Sequence, residues 1–255
     1  MKTDASMVQR VLHVAPTPFF SDRGCHIRIR GLVLGLRSFD VESLVCTFGL
    51  GNDVPDVNTV RCPKIPGYTK TAAGPSIFRF IADPLLVLTV MRQIRSFRPN
   101  VLHCHLHEGV LVGWLAKYFA FRPGLRIVFD VQGGLGSELV SYGHLKWAWL
   151  RKLVHWIESF IIHRADAYSC SSQASVALLT DEFGVDPGIV AHVPDGADIP
   201  LDLPMPETSE QDNLPVAIYT GGLAESKGLD MLKCIIKEAA DRRLKLRFVI
   251  VGYPT

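Results

Sequence analysis

The feature of this sequence that most constrains its fold is a repeated alternation of short β-branched runs with longer amphipathic segments. Residues 8–15 (VQRVLHVA) predict a first strand, and residues 24–37 predict a helix with an apolar face. Further strands are predicted at 41–48, 59–62, 101–105, 126–132, 167–171 and 190–194. Helices are predicted at 77–97, with a kink or break at Pro84, and at 109–121, 144–164 and 175–183. Since this order is typical of right-handed βαβ units, we expect an α/β fold with a Rossmann-like parallel sheet.

The composition changes near residue 200, where the alternation stops. Residues 198–215 (DIPLDLPMPETSEQDNLP) contain four prolines and several acidic residues but no basic residue, which is typical of a linker. A strand at 216–220, a helix at 226–242 and a strand at 246–251 then predict the start of a second Rossmann-like unit. We therefore expect an N-terminal domain at 1–199, an acidic linker at 200–215 and an incomplete second domain at 216–255.

Composition excludes several classes of protein. Hydrophobic residues make up 48% of the 255 residues and charged residues 20%, which excludes a disordered chain. A net charge of +2 is too balanced for a dedicated nucleic-acid-binding protein. The six cysteines form no C-x-x-C pair, so we expect free thiols in a reducing compartment. The first residues lack the apolar core of a secretory signal, and we expect a cytoplasmic protein.

Two glycine-containing turns are candidate anion sites. Residues 16–26 (PTPFFSDRGCH) follow the first strand, and Arg23 and Gly24 stand where a helix begins. Backbone N–H groups at a helix start favour anions, although an ordinary turn capped by Ser21 or Asp22 explains the same letters. A second turn (GGLAESKG) follows the strand at 216–220 and contains three further candidates, Gly221, Gly222 and Lys227. The alternative there is a solvated surface lysine.

Polar residues cluster after two other strands. The segment HCHLHEG would place His103, His105 and His107 on one side of an extended strand, where a polar substrate pocket is favoured over a metal site. Glu108 is either a first-turn carboxylate that complements the helix dipole or an acceptor for a sugar hydroxyl. The segment DVQGGLGSE follows the strand at 126–132, and its glycines let the backbone approach a ligand closely. Its candidate ligand contacts are Gln132, Gly133 and Gly134.

The predicted helix at 144–164 (HLKWAWLRKLVHWIESFIIHR) is unusual because it holds three of the four tryptophans together with several basic residues. This combination is typical of helices that lie on anionic lipid at the inner face of a membrane. A core helix with a basic outer face also accounts for it and is the favoured interpretation. The sequence leaves both interpretations open.

Taken together, several segments resemble the family-4 retaining glycosyltransferases of the GT-B fold. The matching pieces are TPFFSDRGCHIRI, VLHCHLHEGVLVG, IVFDVQGGLGSEL, HRADAYSCSS, VPDGAD and YTGGLAESKGLDML. The resemblance implies a two-domain enzyme with an N-terminal acceptor-binding domain and a C-terminal domain for a nucleotide-sugar donor. It also implies sugar transfer with retention of configuration to a hydroxyl of a glycan, lipid or small molecule, with no metal and no cofactor beyond the donor as co-substrate.

The resemblance also implies roles for particular residues. Lys227 matches the lysine that contacts the donor diphosphate, and Gly24 the glycine that faces the donor phosphates. We expect Lys227 and backbone amides to stabilise the leaving diphosphate. The acceptor would be oriented by Glu108, His105 and the loop of residues 132–134.

The sequence departs from the family pattern in three places. Gly222 stands where the family often has an arginine, and Gln132 stands where a histidine is common. The family's carboxylate segment that grips the donor would follow Thr255. We therefore expect weak or no transfer by these 255 residues alone. The alternative function is an acceptor-binding or accessory subunit that a partner completes.

Overall fold

The computed structural model describes residues 9–21, 23–71, 76–136, 139, 147–196, 214–223 and 228–252. The chain divides into two compact units, residues 1–196 and residues 197–255. Most of the predicted linker at 200–215 lies outside the described residues, and each unit is considered by itself below.

The first unit is built on a seven-stranded sheet in which every pairing is parallel. Its order along the sheet is β3-β2-β1-β4-β5-β6-β7. The predicted strands are confirmed to within three residues at each end, and so is the predicted parallel α/β architecture. The strands are β1 (Arg10–Ala15), β2 (Glu42–Thr47), β3 (Thr59–Arg61), β4 (Val101–His105), β5 (Arg126–Val131), β6 (Ala167–Cys170) and β7 (Val190–His192).

Helices connect these strands, except that a loop joins β2 to β3. A π-helical turn (Leu178–Glu182) follows the helix Gln173–Ala177, and a 3₁₀ turn (Pro187–Ile189) precedes β7. The helix runs through Pro84 without the predicted break, and buried neighbours such as Leu86 pack it against the sheet. The helices are α1 (Gly24–Arg37), α2 (Arg79–Ser96), α3 (Leu106–Phe119), α4 (Ala148–Ile162) and α5 (Gln173–Ala177).

Both faces of the sheet are buried. On one face, residues of α2, α3 and α4 pack against β1, β4 and β5 in a single large apolar cluster. On the other face, Ile29 and Val33 of α1 pack against Ala15 and Val45 in a smaller cluster. The burial of alternate strand residues against helices on both sides explains why the strands read as continuous apolar runs.

Two glycines let α3 lie close to the sheet. A Cβ atom at Gly113 would come 2.5 Å from the Cys104 Sγ atom, and one at Gly109 would come 2.9 Å from the Val14 carbonyl oxygen. Real Cβ atoms do not approach other atoms so closely, so the GVLVG segment is explained by packing. The close approach brings the start of α3 to the carboxyl end of β1.

The sheet order creates a crevice between β1 and β4. The chain leaves β1 through α1 on one face and leaves β4 through α3 on the other. In open α/β sheets, ligands bind at such a switch point, outside the carboxyl ends of the strands. The loop of residues 16–23 and the ends of β4 and β5 surround this position.

The second unit contains two parallel strands, β8 (Val216–Thr220) and β9 (Arg247–Val251), and the helix α6 (Leu229–Asp241). These elements agree with the predicted strand, helix and strand, and residues 226–227 of the predicted helix lie outside the described residues. Large apolar side chains such as Ile218 and Met231 are exposed in this unit. Nowhere in the described parts of the chain is a helix long and apolar enough to cross a bilayer.

Candidate active site

The carboxylate of Asp130, at the carboxyl end of β5, is the centre of a buried hydrogen-bond network. Asp130 has no exposed surface. Its Oδ1 atom accepts from Arg28 Nη2 at 2.7 Å and from the Ser169 hydroxyl at 2.9 Å. Its Oδ2 atom accepts from His105 Nδ1 at 3.0 Å and from Gln132 Nε2 at 2.9 Å. One carboxylate therefore fixes side chains from α1, β4, β6 and the loop after β5.

The network keeps Asp130 ionised. Burial alone would raise the pKa of Asp130, but the hydrogen bonds from His105 and Arg28 and the nearby positive charge hold that pKa well below its usual range. Asp130 is therefore a fixed negative charge and not a proton donor.

Arg28 is the cation that balances Asp130, and it also connects α1 to the end of the sheet. Its Nη1 atom donates to the Val193 carbonyl at 2.8 Å and to Asp195 Oδ1 at 2.7 Å. Burial would lower the pKa of Arg28, but the bonds to Asp130 and Asp195 raise it, so the guanidinium stays charged. The segment after β7 is thereby tied to the same network.

Three histidines lie beside this network at the junction of β1 and β4. His13 Nδ1 is 3.0 Å from His105 Nε2, and His103 Nε2 is 3.2 Å from the Ser169 hydroxyl. Burial lowers the pKa of His13 well below its usual value and lowers that of His103 to about 3, so both rings are neutral. The ligand atoms of the three rings lie within 4.8 Å of one another, a spacing that a divalent cation could use. The closest nitrogen pair already forms a hydrogen bond, and His105 also bonds Asp130.

His107 does not continue the row of histidines expected from strand alternation, and that expectation is wrong. The strand β4 ends at His105 and α3 begins at the next residue, so His107 stands in the first turn of a helix. Its Nε2 atom is 3.2 Å from Glu158 Oε1. The strand alternation ends because the backbone turns into the helix without an intervening loop.

Glu158 of α4 positions the glycine loop that follows β5. Its carboxylate accepts from the backbone N–H groups of Leu135 at 2.7 Å and Gly136 at 3.0 Å. Burial would raise the pKa of Glu158, but the hydrogen bond from His107 and those from the loop amides lower it. A buried, ionised Glu158 therefore fixes the loop, a role that its place among basic residues in the sequence did not indicate.

The predicted loop residues lie at the open end of the Asp130 network. Gln132 is half-buried, and its amide is oriented by Asp130. Gly133 adopts a φ of +155°, which disfavours other residues, and no atom lies within 4 Å of the position of its absent Cβ. Gly134 follows it at the same edge, while Ser137 and Glu138 lie outside the described residues. His105 and Gln132 are thus brought together, but the His105 side chain is fully buried.

Glu108 has a different environment from His105 and Gln132. It lies in the first turn of α3 and forms an ion pair with Arg79 of α2. Burial raises the pKa of Glu108 to about 8; Arg79 opposes this shift, and the nearby Asp83 adds to it. Its contacts among the described residues therefore belong to the α2–α3 interface.

The loop after β1 is held by His26. Its Nδ1 atom accepts from the Ser21 N–H at 2.9 Å, and its Nε2 atom lies 2.7 Å from the Thr17 hydroxyl. Burial lowers the pKa of His26 to about 4, despite an opposing hydrogen bond with Ser21. The imidazole is therefore a neutral bridge across the loop.

At the start of α1, the side chain of the N-cap residue Arg23 forms no capping hydrogen bond. Arg23, with extended backbone, occupies the N-cap position in place of the predicted Ser21, and Asp22 lies outside the described residues. Arg23 Nη1 donates to the Thr71 carbonyl at 3.3 Å. Gly24 is exposed, and no atom lies within 4 Å of the position of its absent Cβ. The start of α1 therefore lies beside the Arg23 guanidinium, and its backbone at Gly24 is open to solvent.

In the second unit, Gly221 and Gly222 form the turn after β8. Gly221 has a φ of +153°, and the Gly222 carbonyl accepts from the Tyr219 hydroxyl at 2.9 Å. Lys227 lies outside the described residues, so its predicted contact with an anion stays a prediction. Gly228, with a φ of +81°, leads into α6.

Arg28, His13, Asp130 and Asp195 are functional candidates that sequence reasoning missed. Two signals were present in the sequence. Asp130 is a lone acid in the apolar run RIVFDV, and Arg28 stands four residues before Leu32 on the side of α1 that faces the sheet. A charged residue in an apolar position needs a partner of opposite charge, but that partner can be identified only once the strand order is known.

Comparison with known proteins identifies the architecture. The family described as glycosyl transferase 4-like domain matches residues 23–196. Sucrose-phosphate synthase (tll1590) from Thermosynechococcus elongatus is similar, with 15% identity, a TM-score of 0.62 and coverage of 96% of this chain and 70% of that chain. The lipopolysaccharide outer core galactosyltransferase WaaB shows 13% identity and a TM-score of 0.58 over 96% of this chain and 68% of that chain.

The S. aureus MnaA–UDP co-structure shows 14% identity and a TM-score of 0.53 over 98% of this chain and 62% of that chain. At these identities the likeness concerns the fold alone, and the chain spans only 62–70% of the three structures. No curated protein sequence matches the chain. Since the family match covers most of the chain, the protein belongs to the glycosyl transferase 4-like family and has the GT-B type of α/β fold.

Proposed function

We propose that this chain belongs to an enzyme that transfers a sugar from a nucleotide-sugar to a hydroxyl of a glycan, lipid or small molecule, with retention of configuration. The observation that carries the proposal is the family match over residues 23–196, which includes every first-unit residue of the Asp130 network except His13. Support for a nucleotide donor comes from the similar fold of MnaA, which was solved with UDP.

The donor phosphates are proposed to bind Arg23 and Gly24 in the first unit and Gly221, Gly222 and Lys227 in the second. The dipole at the start of α1 favours an anion, and the open space at Gly24 allows a phosphate to approach the backbone. Lys227 would stabilise the charge that develops on the departing diphosphate. The proposed reaction needs no metal or other cofactor.

The acceptor hydroxyl is proposed to contact Gln132 and the backbone of Gly133 and Gly134. Asp130 fixes the Gln132 amide, and His105 is proposed to act through Asp130 as a positioning residue, since its own side chain is buried. Glu108 stays a proposed acceptor contact.

A pair of glycine substitutions in α1 tests the donor site. Gly24→Ala and Gly31→Ala change the same helix, and neither new Cβ would meet an atom within 4 Å. Gly24→Ala should weaken nucleotide-sugar binding, measured by titration calorimetry across a panel of nucleotide-sugars, about tenfold or more. Gly31→Ala should leave it unchanged. Equal affinities for the two variants would refute the placement of the phosphate at α1.

Lys227→Ala provides the second test, with Lys233→Ala as its control. Lys233 is an exposed lysine of α6 that pairs with Asp230. Loss of a charge that stabilises the leaving group should reduce the initial rate of sugar transfer at saturating donor by about 10²–10³. Lys233→Ala should retain the rate of the unaltered protein, and thermal melts should be similar for both. Since weak or no transfer is expected of these 255 residues alone, the rates are measured on a longer chain that includes the donor segment expected after Thr255. If no nucleotide-sugar binds to that chain or is turned over by it, the proposed function is wrong.

A further inference from the structure

The outward side of α4 is apolar, the reverse of the usual arrangement for a surface helix. Its buried residues are Val154, Glu158, Ile161 and Ile162. Trp149, Leu153 and Trp156 follow one another at spacings of four and three residues, so they form one stripe on the opposite side. Trp147, Trp149 and Trp156 are 64%, 59% and 65% exposed. Over the described residues 147–162, the helix therefore packs on the core with one side and presents exposed tryptophans together with basic residues on the other.

Further aromatic rings extend this stripe onto α3. Ring centroids are 6.2 Å apart between Trp156 and Phe160, 5.9 Å between Phe160 and Trp114, and 6.5 Å between Trp114 and Tyr118. We call this surface the aromatic face. Its exposed aromatic members are Trp147, Trp149, Trp156, Tyr118 and Phe119.

Positive charge accompanies the aromatic face. The Arg164 guanidinium stacks on the Phe160 ring at 4.2 Å and on the Trp114 ring at 4.9 Å. Lys152 is exposed on α4. The only acidic residue of the sequence from 147 to 165 is Glu158, which is buried and bonded to the Leu135 and Gly136 amides. The outward side of α4 therefore carries tryptophan and basic side chains but no acidic side chain.

We propose that the aromatic face binds the surface of an anionic lipid bilayer. Tryptophan rings favour the boundary between acyl chains and headgroups, because one edge of the ring is apolar and the indole N–H can bond water or a headgroup. Basic side chains beside them are attracted to anionic headgroups. A protein partner or a second copy would need acidic groups opposite these bases, and the aromatic face itself supplies none along α4.

The geometry relates the proposed lipid surface to the candidate active site. Glu158, on the inner side of α4, holds the loop after β5, and Trp156 lies on the outer side of the same helix. A helix is about 10–12 Å across with its side chains, so the loop would lie roughly that far from the lipid. The proposal itself does not depend on sugar transfer.

Vesicle sedimentation with the unaltered 255-residue chain tests the proposal. Vesicles of phosphatidylglycerol and phosphatidylcholine in equal parts should bind the chain at 0.1 M salt, whereas pure phosphatidylcholine should bind it much less. The Debye length falls from about 10 Å at 0.1 M to about 3 Å at 1 M, so high salt should weaken the binding. A blue shift of tryptophan fluorescence should accompany the binding, since three of the four tryptophans are exposed on the aromatic face.

Two pairs of variants locate the binding surface. Trp156→Glu should lower the vesicle partition coefficient about tenfold or more. Phe39→Glu is its control: it makes the same charge change at a side chain that is 80% exposed just after α1, on the other face of the sheet. Lys152→Gln should lower the coefficient about fivefold. Lys64→Gln, at an exposed lysine after β3, should lower it less than twofold.

Circular dichroism melts of all four variants check that each is folded, and Trp149→Glu serves as a second probe if Trp156→Glu fails to fold. Equal sedimentation with anionic and neutral vesicles, or an equal loss in Phe39→Glu and the tryptophan variant, would overturn the proposal. The proposal would also be overturned if the unaltered chain binds no vesicles but forms a dimer in sedimentation velocity, and Trp156→Glu dissociates that dimer.

Discussion

Replacing Asp130 by asparagine tests whether the buried network at the sheet edge is held together by charge. Asparagine has nearly the same shape, but its Nδ2 group donates hydrogen bonds and carries no negative charge. In the structure, Asp130 accepts from four side chains, three of which are Arg28, His105 and Gln132. The substitution would turn one acceptor oxygen into a donor that faces other donors.

The size of the effect follows from the burial of the ion pair. The side chains of Arg28 and Asp130 are 3% and 0% exposed. Breaking a buried pair by removing one partner costs about 3–5 kcal/mol, because the remaining charge stays desolvated. Arg28 keeps its bond to Asp195, which is mostly exposed, so we expect a loss of about 3 kcal/mol, at the lower end of that range.

Urea denaturation followed by tryptophan fluorescence is the suitable assay. All four tryptophans lie in the first unit, so the signal reports the unit that contains Asp130. Asp56→Asn is the matched control. Asp56 pairs at 3.1 Å with Arg30, which lies in α1 as Arg28 does, but the Asp56 side chain is largely exposed. The control should lose no more than about 1 kcal/mol.

A double-mutant cycle separates the pair from other effects. Arg28→Met combined with Asp130→Asn should cost less than the sum of the single losses by about 2 kcal/mol, because the two charges disappear together. If Asp130→Asn is as stable as Asp56→Asn, or if the two losses simply add, the charge network is not what holds this edge together.

Three further predictions concern pH and packing. The pKa of Glu108 is raised to about 8 in the folded chain, above the unfolded value of 4.5, so Glu108 contributes a fall in unfolding free energy as pH rises between about 5 and 8. Glu108→Gln should make this fall smaller. Denaturant midpoints at pH 5 and 8 check this, and an unchanged difference in the variant would contradict it. His26 acts in the opposite direction: its folded pKa of about 4 lies below the unfolded value of 6.5, so its contribution to stability is lost as pH falls from about 6.5 to 4. His26→Gln should remove this contribution, which denaturant midpoints at about pH 4 and 6.5 measure against the unaltered protein. Gly113→Ala should destabilise the chain by about 1–3 kcal/mol in thermal melts, since its Cβ would lie 2.5 Å from Cys104 Sγ. Gly31→Ala, where nothing lies within 4 Å, should stabilise it by about 0.5–1 kcal/mol, and similar melts for these two variants would argue against the packing of α3 on β4.

The architecture of the first unit could be predicted from local sequence. Strand and helix periods differ, and fully buried parallel strands appear as short apolar runs between amphipathic segments, so β4 and α1 were predicted at their observed bounds. Parallel pairing then places the ends of β1, β4 and β5 at one edge. For this reason the candidate loops at residues 16–26 and 132–134 could be named without coordinates.

The side of a helix that faces the core was only partly predictable. The period of α4 groups Trp149, Leu153 and Trp156 in one stripe, and it groups Val154 with Ile161 in another. Both stripes are apolar, so hydrophobicity could not decide which of them faces the core. Tertiary packing decided it, because Glu158 on the second stripe satisfies the loop amides from inside.

Only the tertiary structure revealed the Asp130 network. Arg28 is 102 residues from Asp130 and 167 residues from Asp195 along the chain, and no local period relates them. In sequence Asp130 is an isolated acid; in the fold, the β1–β4–β5–β6 order gathers donors around it. A buried carboxylate is stable only where such donors converge, and convergence depends on strand order, which composition and periodicity leave open.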